Sequence, residues 1–339
     1  MSGRALTVCL CLALLLASCS GRESPAQSSA DHVRAVVVPY LTLMPFYIAA
    51  EEGYFAEENL DVEFVQLGRD TELMTALARG QVDVAGGMLT ANELALIASG
   101  MRIRMVASLG DLLPDGCSYS AFIVRREHLE SGALQDRERI RSLRFDANVI
   151  LPFGYFIDEF LRPFALTTDD LDVIDLPSPA ALAAMATGTI DVTIDSEPFI
   201  SQHLESEDAA VWVRAEEIVP NYVFAALRYG PSILIDRPEV GERFAVAMLK
   251  AIRQYNLGKT ARNLEIVERA SGLSPERVAA ACWPVTTDEA RIDAGVFRGY
   301  QEWNVSRGFV DRVLSDEELV DQRFFEHANR VLRQSAARR

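Results

Sequence analysis

The chain contains no HExxH, CxxC, P-loop, GxGxxG or GxSxG motif, which leaves no ready site for metal-assisted hydrolysis, nucleotide chemistry or acyl transfer. Its four histidines, His32, His128, His203 and His327, are scattered. No metal, cofactor or catalytic residue is therefore expected. Positive charge is also short: 33 Lys and Arg stand against 49 Asp and Glu, a formal net charge of -16. That balance argues against nucleic acid or an anionic bilayer as a binding surface. After the first 19 residues there is no long apolar run, and cysteine is limited to five positions.

What is present begins with a leader. Arg4 supplies a short basic region, Ala5 to Leu16 an apolar run too short to span a bilayer, and Leu16-Ala17-Ser18-Cys19 a small-residue processing site. The last four residues resemble the lipobox of bacterial lipoproteins, in which cleavage precedes a cysteine that is then acylated. On that reading residues 1–18 are a signal peptide and Cys19 is the lipid-bearing N-terminus. Residues 19–32, polar and Pro-interrupted, form a tether with a reach on the order of 20 Å. Cys9 and Cys11 leave with the leader. Cys117 and Cys282 remain; they could pair in an oxidising compartment, but two buried free thiols are the simpler expectation.

About 320 residues follow, enough for two domains and a sizeable core. One pattern in them is written twice. Leu73, Leu77 and Ala78 mark a helix face, Gly80 ends the helix, and Gln81-Val82-Asp83-Val84 enters a buried strand; Gly188-Thr189-Ile190-Asp191-Val192 repeats the joint. Two copies of one α/β unit predict two lobes, each a mostly parallel sheet flanked by helices. Isolated strands at Tyr119 to Val124 and Tyr222 to Arg228 read as a two-strand hinge. The expected boundaries are 33–124 and 222–335 for lobe 1, and 125–221 for lobe 2.

Pro45-Phe46-Tyr47-Ile48-Ala49-Ala50-Glu51-Glu52-Gly53-Tyr54-Phe55, followed by Ala76 to Asp83, resembles the solute-binding proteins of ABC importers. The similar branch includes binders of aliphatic sulfonates, taurine, nitrate and thiamine pyrimidine precursors. Ala181 to Asp191 and Asp236 to Glu239 extend the likeness over nearly the whole mature chain. The resemblance implies a two-lobed periplasmic-binding-protein fold and an exported, lipid-anchored monomer. It also implies that the protein closes on a small molecule and delivers it to a permease and ATPase, without enzymatic activity. Two alternatives stay open: a sensor component for a receptor, or an enzyme related to pyrimidine-precursor synthases, which carry a Cys-rich motif and a catalytic His.

Ligand contact is expected from both lobes, since closure needs a free-energy difference between open and closed states. The candidates are Tyr40, Phe46, Tyr47, Thr90 and Asn92 in lobe 1, Phe153, Tyr155, Ser196 and Glu197 in lobe 2, and Tyr222 beside Asn221 at the hinge. Each has a structural alternative. Phe46 and Tyr47 precede Ile48 and Ala49, Phe153 lies four residues from Ile157, Thr90 and Glu93 form a capping-box pair, and Glu197 suits a helix entry. The loops carrying these residues hold no Lys or Arg. A neutral or weakly cationic ring compound is therefore expected ahead of an alkyl sulfonate, with Arg69 the remaining anion-binding alternative.

Overall fold

The computed structural model describes residues 30–67 and 70–338. The leader, Cys19 and Arg69 lie outside the described residues. Asp31 and His32, assigned above to the tether, are instead the first residues of a strand, because Asp31 to Val36 pair in parallel register with Leu60 to Val65.

The ten strands among the described residues are β1 Asp31–Val36, β2 Leu60–Val65, β3 Val84–Gly87, β4 Arg104–Asp111, β5 Ser120–Arg125, β6 Arg144–Asp146, β7 Asp172–Ile174, β8 Val192–Ser196, β9 Ala209–Arg214 and β10 Val223–Tyr229. They form two five-stranded sheets, ordered β2-β1-β3-β10-β4 and β7-β6-β8-β5-β9. The plan is the same in both. Three parallel strands come first, then one antiparallel strand (β10 in the first sheet, β5 in the second), then the edge strand.

The repeated joint has a mechanical role. Gly80 and Gly188 end their helices at φ +66 and +69, a conformation that penalises any side chain. Asp83 N donates to the Arg34 carbonyl at 2.8 Å, and Asp191 N to the Arg144 carbonyl at 2.9 Å. Each aspartate carboxylate then accepts the backbone N–H of that same arginine, at 2.8 and 2.9 Å. The strands start two residues later than their apolar onset suggests because Val82 and Ile190 are spent as buried plugs and the aspartates as clamps.

β5 corrects the lobe boundary. It bonds to β8 and β9, so residues 120–124 belong with lobe 2, and the expected hinge strands lie wholly inside their own sheets. The crossings are the irregular stretches that precede them, 112–119 and 219–222. They are joined at Leu112, whose N–H donates to the Tyr222 carbonyl at 2.9 Å and whose carbonyl accepts from Asn221 N at 2.7 Å. The free-thiol expectation is also overturned. Cys117, in the first crossing, forms a disulfide with Cys282, and the Cα atoms stand 5.6 Å apart; the fold brings together two residues that spacing could not pair.

The chain after β10 returns to lobe 1, where the long helix Pro238–Asn256 packs on the Met44–Glu51 helix and on the terminal Arg323–Ala337 helix. One later helix, Arg298–Ser306, lies instead on lobe 2 against Phe153–Leu161. Trp303 Nε1 donates to Asp158 Oδ2 at 2.7 Å, and Tyr300 Oη to the Ile150 carbonyl at 3.1 Å. The two helices approach closely because Tyr155 sits over Gly299 and Trp303 over Gly154, where a Cβ would collide with the opposing ring. The assignment of all of 222–335 to lobe 1 therefore fails for this helix.

Candidate functional site

In sheets of this kind small molecules bind outside the carboxyl ends of the parallel strands. Two clusters meet there across the crossings. The first joins the loop after β1 to the end of β8. Tyr119, buried in the first crossing, is hydrogen-bonded to Thr42; burial pushes its hydroxyl well up, with those bonds opposing, and Tyr40 and Glu197 lie within electrostatic reach. Tyr40 is 42% exposed and feels Asp195 of the opposite lobe. Asp195 is buried; its Oδ1 accepts from Ser178 Oγ and Ser196 N, and its Oδ2 stands 3.5 Å from His203 Nε2.

Charge marks the second cluster. Arg228, the next-to-last residue of β10, is fully buried. Its Nε donates to Glu93 Oε2 at 2.6 Å and its Nη1 to the carbonyls of Gly87 and Ala226, at 2.8 and 2.9 Å. Glu93 reaches it from the first turn of the Ala91–Ala98 helix, which Thr90 caps by accepting from Glu93 N at 3.1 Å. Tyr222 stands beside them. Burial drives its hydroxyl far above the ordinary range, and the charges of Arg228 and Glu93 from lobe 1 lie within electrostatic reach. Its ring meets Phe156 and Phe297 edge-on at 5.3 and 5.5 Å. The Ile150 carbonyl of lobe 2 accepts from Ala91 N as well as from Tyr300, so three elements converge on it.

The sequence candidates divide accordingly. Tyr40, Ser196 and Glu197 fall at the first cluster, and Thr90, Asn92 and Tyr222 at the second. Phe153 lies between lobes, its ring 6.3 Å from Phe224 of β10. Four of these positions need correction. Phe46 is fully buried between Phe64 and Phe244, and Tyr47 packs edge-on against Phe64, so these rings hold sheet to helix beneath the cleft. Tyr155 is taken up by Tyr300, Trp303 and Gly299. Glu197 accepts from Ser201 N, Ser201 Oγ and Cys282 N, so it is a strut that ties the disulfide segment to lobe 2. Burial raises its carboxyl, with the Ser201 and Cys282 bonds opposing.

Arg228, Asp195 and Asn304 escape sequence reasoning, which gives Tyr119 only as a strand start, and Glu93, expected only as a helix cap, instead pairs with Arg228. For Arg228 a signal existed: a lone arginine inside the apolar strand Val223-Phe-Ala-Ala-Leu-Arg-Tyr229 is a residue type seldom buried unless paired. The four histidines contact separate partners, namely Asp61 and Glu63, Asp191, Asp195, and Glu242.

Comparison with known proteins adds to this geometry. Residues 41–121, from the loop after β1 to the first residues of β5, match the family model described as NMT1/THI5 like. The ligand-binding component of an ABC-type import system from Staphylococcus aureus superimposes with a TM-score of 0.67 at 11% identity, over 88% of this chain and 99% of that one. The fold is that of the periplasmic binding proteins. The periplasmic aliphatic sulphonate binding protein SsuA from Escherichia coli gives a TM-score of 0.69 at 13% identity, over 87% of this chain and 99% of that one. The nitrate-binding protein NrtA from Synechocystis PCC 6803 gives 0.67 at 12% identity, over 89% of each. In sequence, a 4-amino-5-hydroxymethyl-2-methylpyrimidine phosphate synthase from Candida albicans is 28% identical over 168 residues, 49% of this chain. The chain matches 45% of that relative, less than half its length.

Proposed function

We propose that the protein is the solute-binding component of an ABC importer, that it captures a small organic molecule between its lobes, and that it presents this molecule to a membrane permease. The observation that carries the reading is the junction itself. Groups from both lobes and from both crossings converge there, while the sheets behind them are complete without it. Two lobes joined by the crossings at 112–119 and 219–222, with the Arg298–Ser306 helix and the Cys282 segment also reaching lobe 2, support closure about a hinge. Export follows from the leader, and the lipobox-like Leu16 to Cys19 supports anchoring through Cys19 with a monomeric body held off the membrane.

A flat molecule of low charge, such as a pyrimidine-like vitamin precursor, suits the exposed Tyr40 ring and loops without Lys or Arg better than an alkyl sulfonate does. The test is transport. Deleting the gene should abolish uptake of whichever compound most stabilises the purified protein against heat, and Cys19→Ser should release the protein from the membrane fraction. Uptake that persists without the gene, alongside loss of a transcriptional response to the compound, would assign the protein to sensing.

A further inference from the structure

We propose that Arg228, neutralised by Glu93 and flanked by Tyr222, Asn92 and Asn304, is the polar end of the solute site. We further propose that it selects an uncharged hydrogen-bond acceptor, such as a ring carbonyl, ring nitrogen or amide, over a free anion. The inference rests on the solute-binding reading and adds to it the residues and the chemistry they read.

The molecule contains its own control for Arg228. Aligning Val84 with Val192 sets the two sheets in register, and Arg228, opposite Ala85 on β3, then corresponds to Ile123, opposite Thr193 on β8. Ile123 is fully buried in lobe 2. The same strand at the same sheet position folds with an isoleucine, so the scaffold has no need of a charge there. A buried ion pair is weak evidence of stabilisation, because desolvation offsets most of the attraction.

The cluster also has bonds left to make. Arg228 Nη2, Tyr222 Oη, Asn92 Nδ2 and Asn304 Oδ1 are sealed from solvent and lack a partner. Unpaired buried polar atoms are rare and costly; here Arg228 Nη2 and Asn92 Nδ2 call for an acceptor, Tyr222 Oη can donate to one, and Asn304 Oδ1 calls for a donor. They are linked through named contacts. Glu93 holds Arg228 and follows Asn92 in its helix; Tyr222 lies in the field of that pair; Asn304 Nδ2 donates to the Tyr300 carbonyl at 2.8 Å, and Tyr300 reaches Ile150 of lobe 2. Arg228 and Asn92 belong to lobe 1, Tyr222 to a crossing, and Asn304 to the helix seated on lobe 2. One solute can meet all of them only with the lobes together.

Charge decides the class. Glu93 already cancels Arg228, so a bound anion would leave one unmatched negative charge in a buried place. A neutral acceptor takes the free donors at no such cost.

Calorimetric titration and thermal shift of the full chain, with uracil, cytosine and nicotinamide as uncharged acceptors and nitrate and ethanesulfonate as anions, test this. The wild type should bind at least one uncharged compound and neither anion. Tyr222→Phe, which keeps the ring, should weaken that binding about tenfold, the equivalent of one net hydrogen bond. Glu93→Gln, close to isosteric, should raise affinity for nitrate or ethanesulfonate by at least about tenfold, because it leaves Arg228 charged and unpaired. Should Glu93→Gln fail to fold, the wild type and Tyr222→Phe still decide the matter. Binding of an anion by the wild type more tightly than any uncharged probe, or binding indifferent to Tyr222→Phe, overturns the inference while leaving solute capture intact. Silence across the panel overturns it too, and solute capture then stands or falls on the uptake assay.

Discussion

The two lobes have one strand order and one Gly-x-Val/Ile-Asp joint, yet they bury charge in different places. In lobe 2 one internal polar pair is Thr193 Oγ1 with Asp146 Oδ2, at 2.7 Å, where the register puts Ala85 and Val36 in lobe 1. In lobe 1 a buried pair is Arg228 with Glu93, where lobe 2 has Ile123 in the place of the arginine. What the lobes share, the glycines and the aspartate clamps, builds the scaffold. What they do not share lies at the junction and points to use rather than folding.

Breaking the Arg228–Glu93 pair should have the largest effect. Arg228→Met alone leaves a buried carboxylate and should cost about 3–5 kcal/mol in chemical denaturation, whereas Arg228→Met with Glu93→Met should recover most of that loss. A double variant as unstable as the single one would mean that the pair is structural after all, and the contrast with Ile123 would lose its force. Next in size is the disulfide, which closes a loop of 165 residues; Cys117→Ser with Cys282→Ser should cost about 2–5 kcal/mol in the same assay.

The shared joint sharpens the comparison through pH. Burial raises the Asp191 carboxyl, but hydrogen bonds from the Arg144 side chain and backbone and from His128 outweigh it and bring the group from 3.8 to about 2. A carboxyl depressed in the folded state contributes stability above its unfolded pKa and loses it as pH falls through the folded one. Asp191→Asn should therefore flatten the part of the stability profile between pH 3.8 and about 2 that wild type shows in acid denaturation. A smaller effect is expected where the last helix meets lobe 2. Tyr300→Phe removes one hydrogen bond to Ile150 and should cost about 1 kcal/mol, measured by thermal unfolding.

The alternation of short strands and helices was legible because each strand is a run of apolar residues between turn signals, and the duplicated joint stood out because glycine and aspartate each do one mechanical job in it. Strand membership was harder to read. Nothing local in Ser120 to Arg125 says which sheet accepts it, since both neighbours, β8 and β9, lie far along the chain. The same holds for Cys117 and Cys282. At the site, Phe46, Tyr47 and Tyr155 lie in the first turns of helices and pack on neighbouring rings, because a ring at a helix entry serves packing as readily as recognition. Arg228, an arginine in the apolar company of its strand, is the stronger sign.

The account depends on closure around a solute, and small-angle scattering measures closure directly. With the panel compound that gives the largest thermal shift at saturation, the radius of gyration should fall while far-ultraviolet circular dichroism stays unchanged, since hinge bending moves lobes as rigid bodies. A scattering profile identical with and without that compound would contradict solute capture by lobe closure.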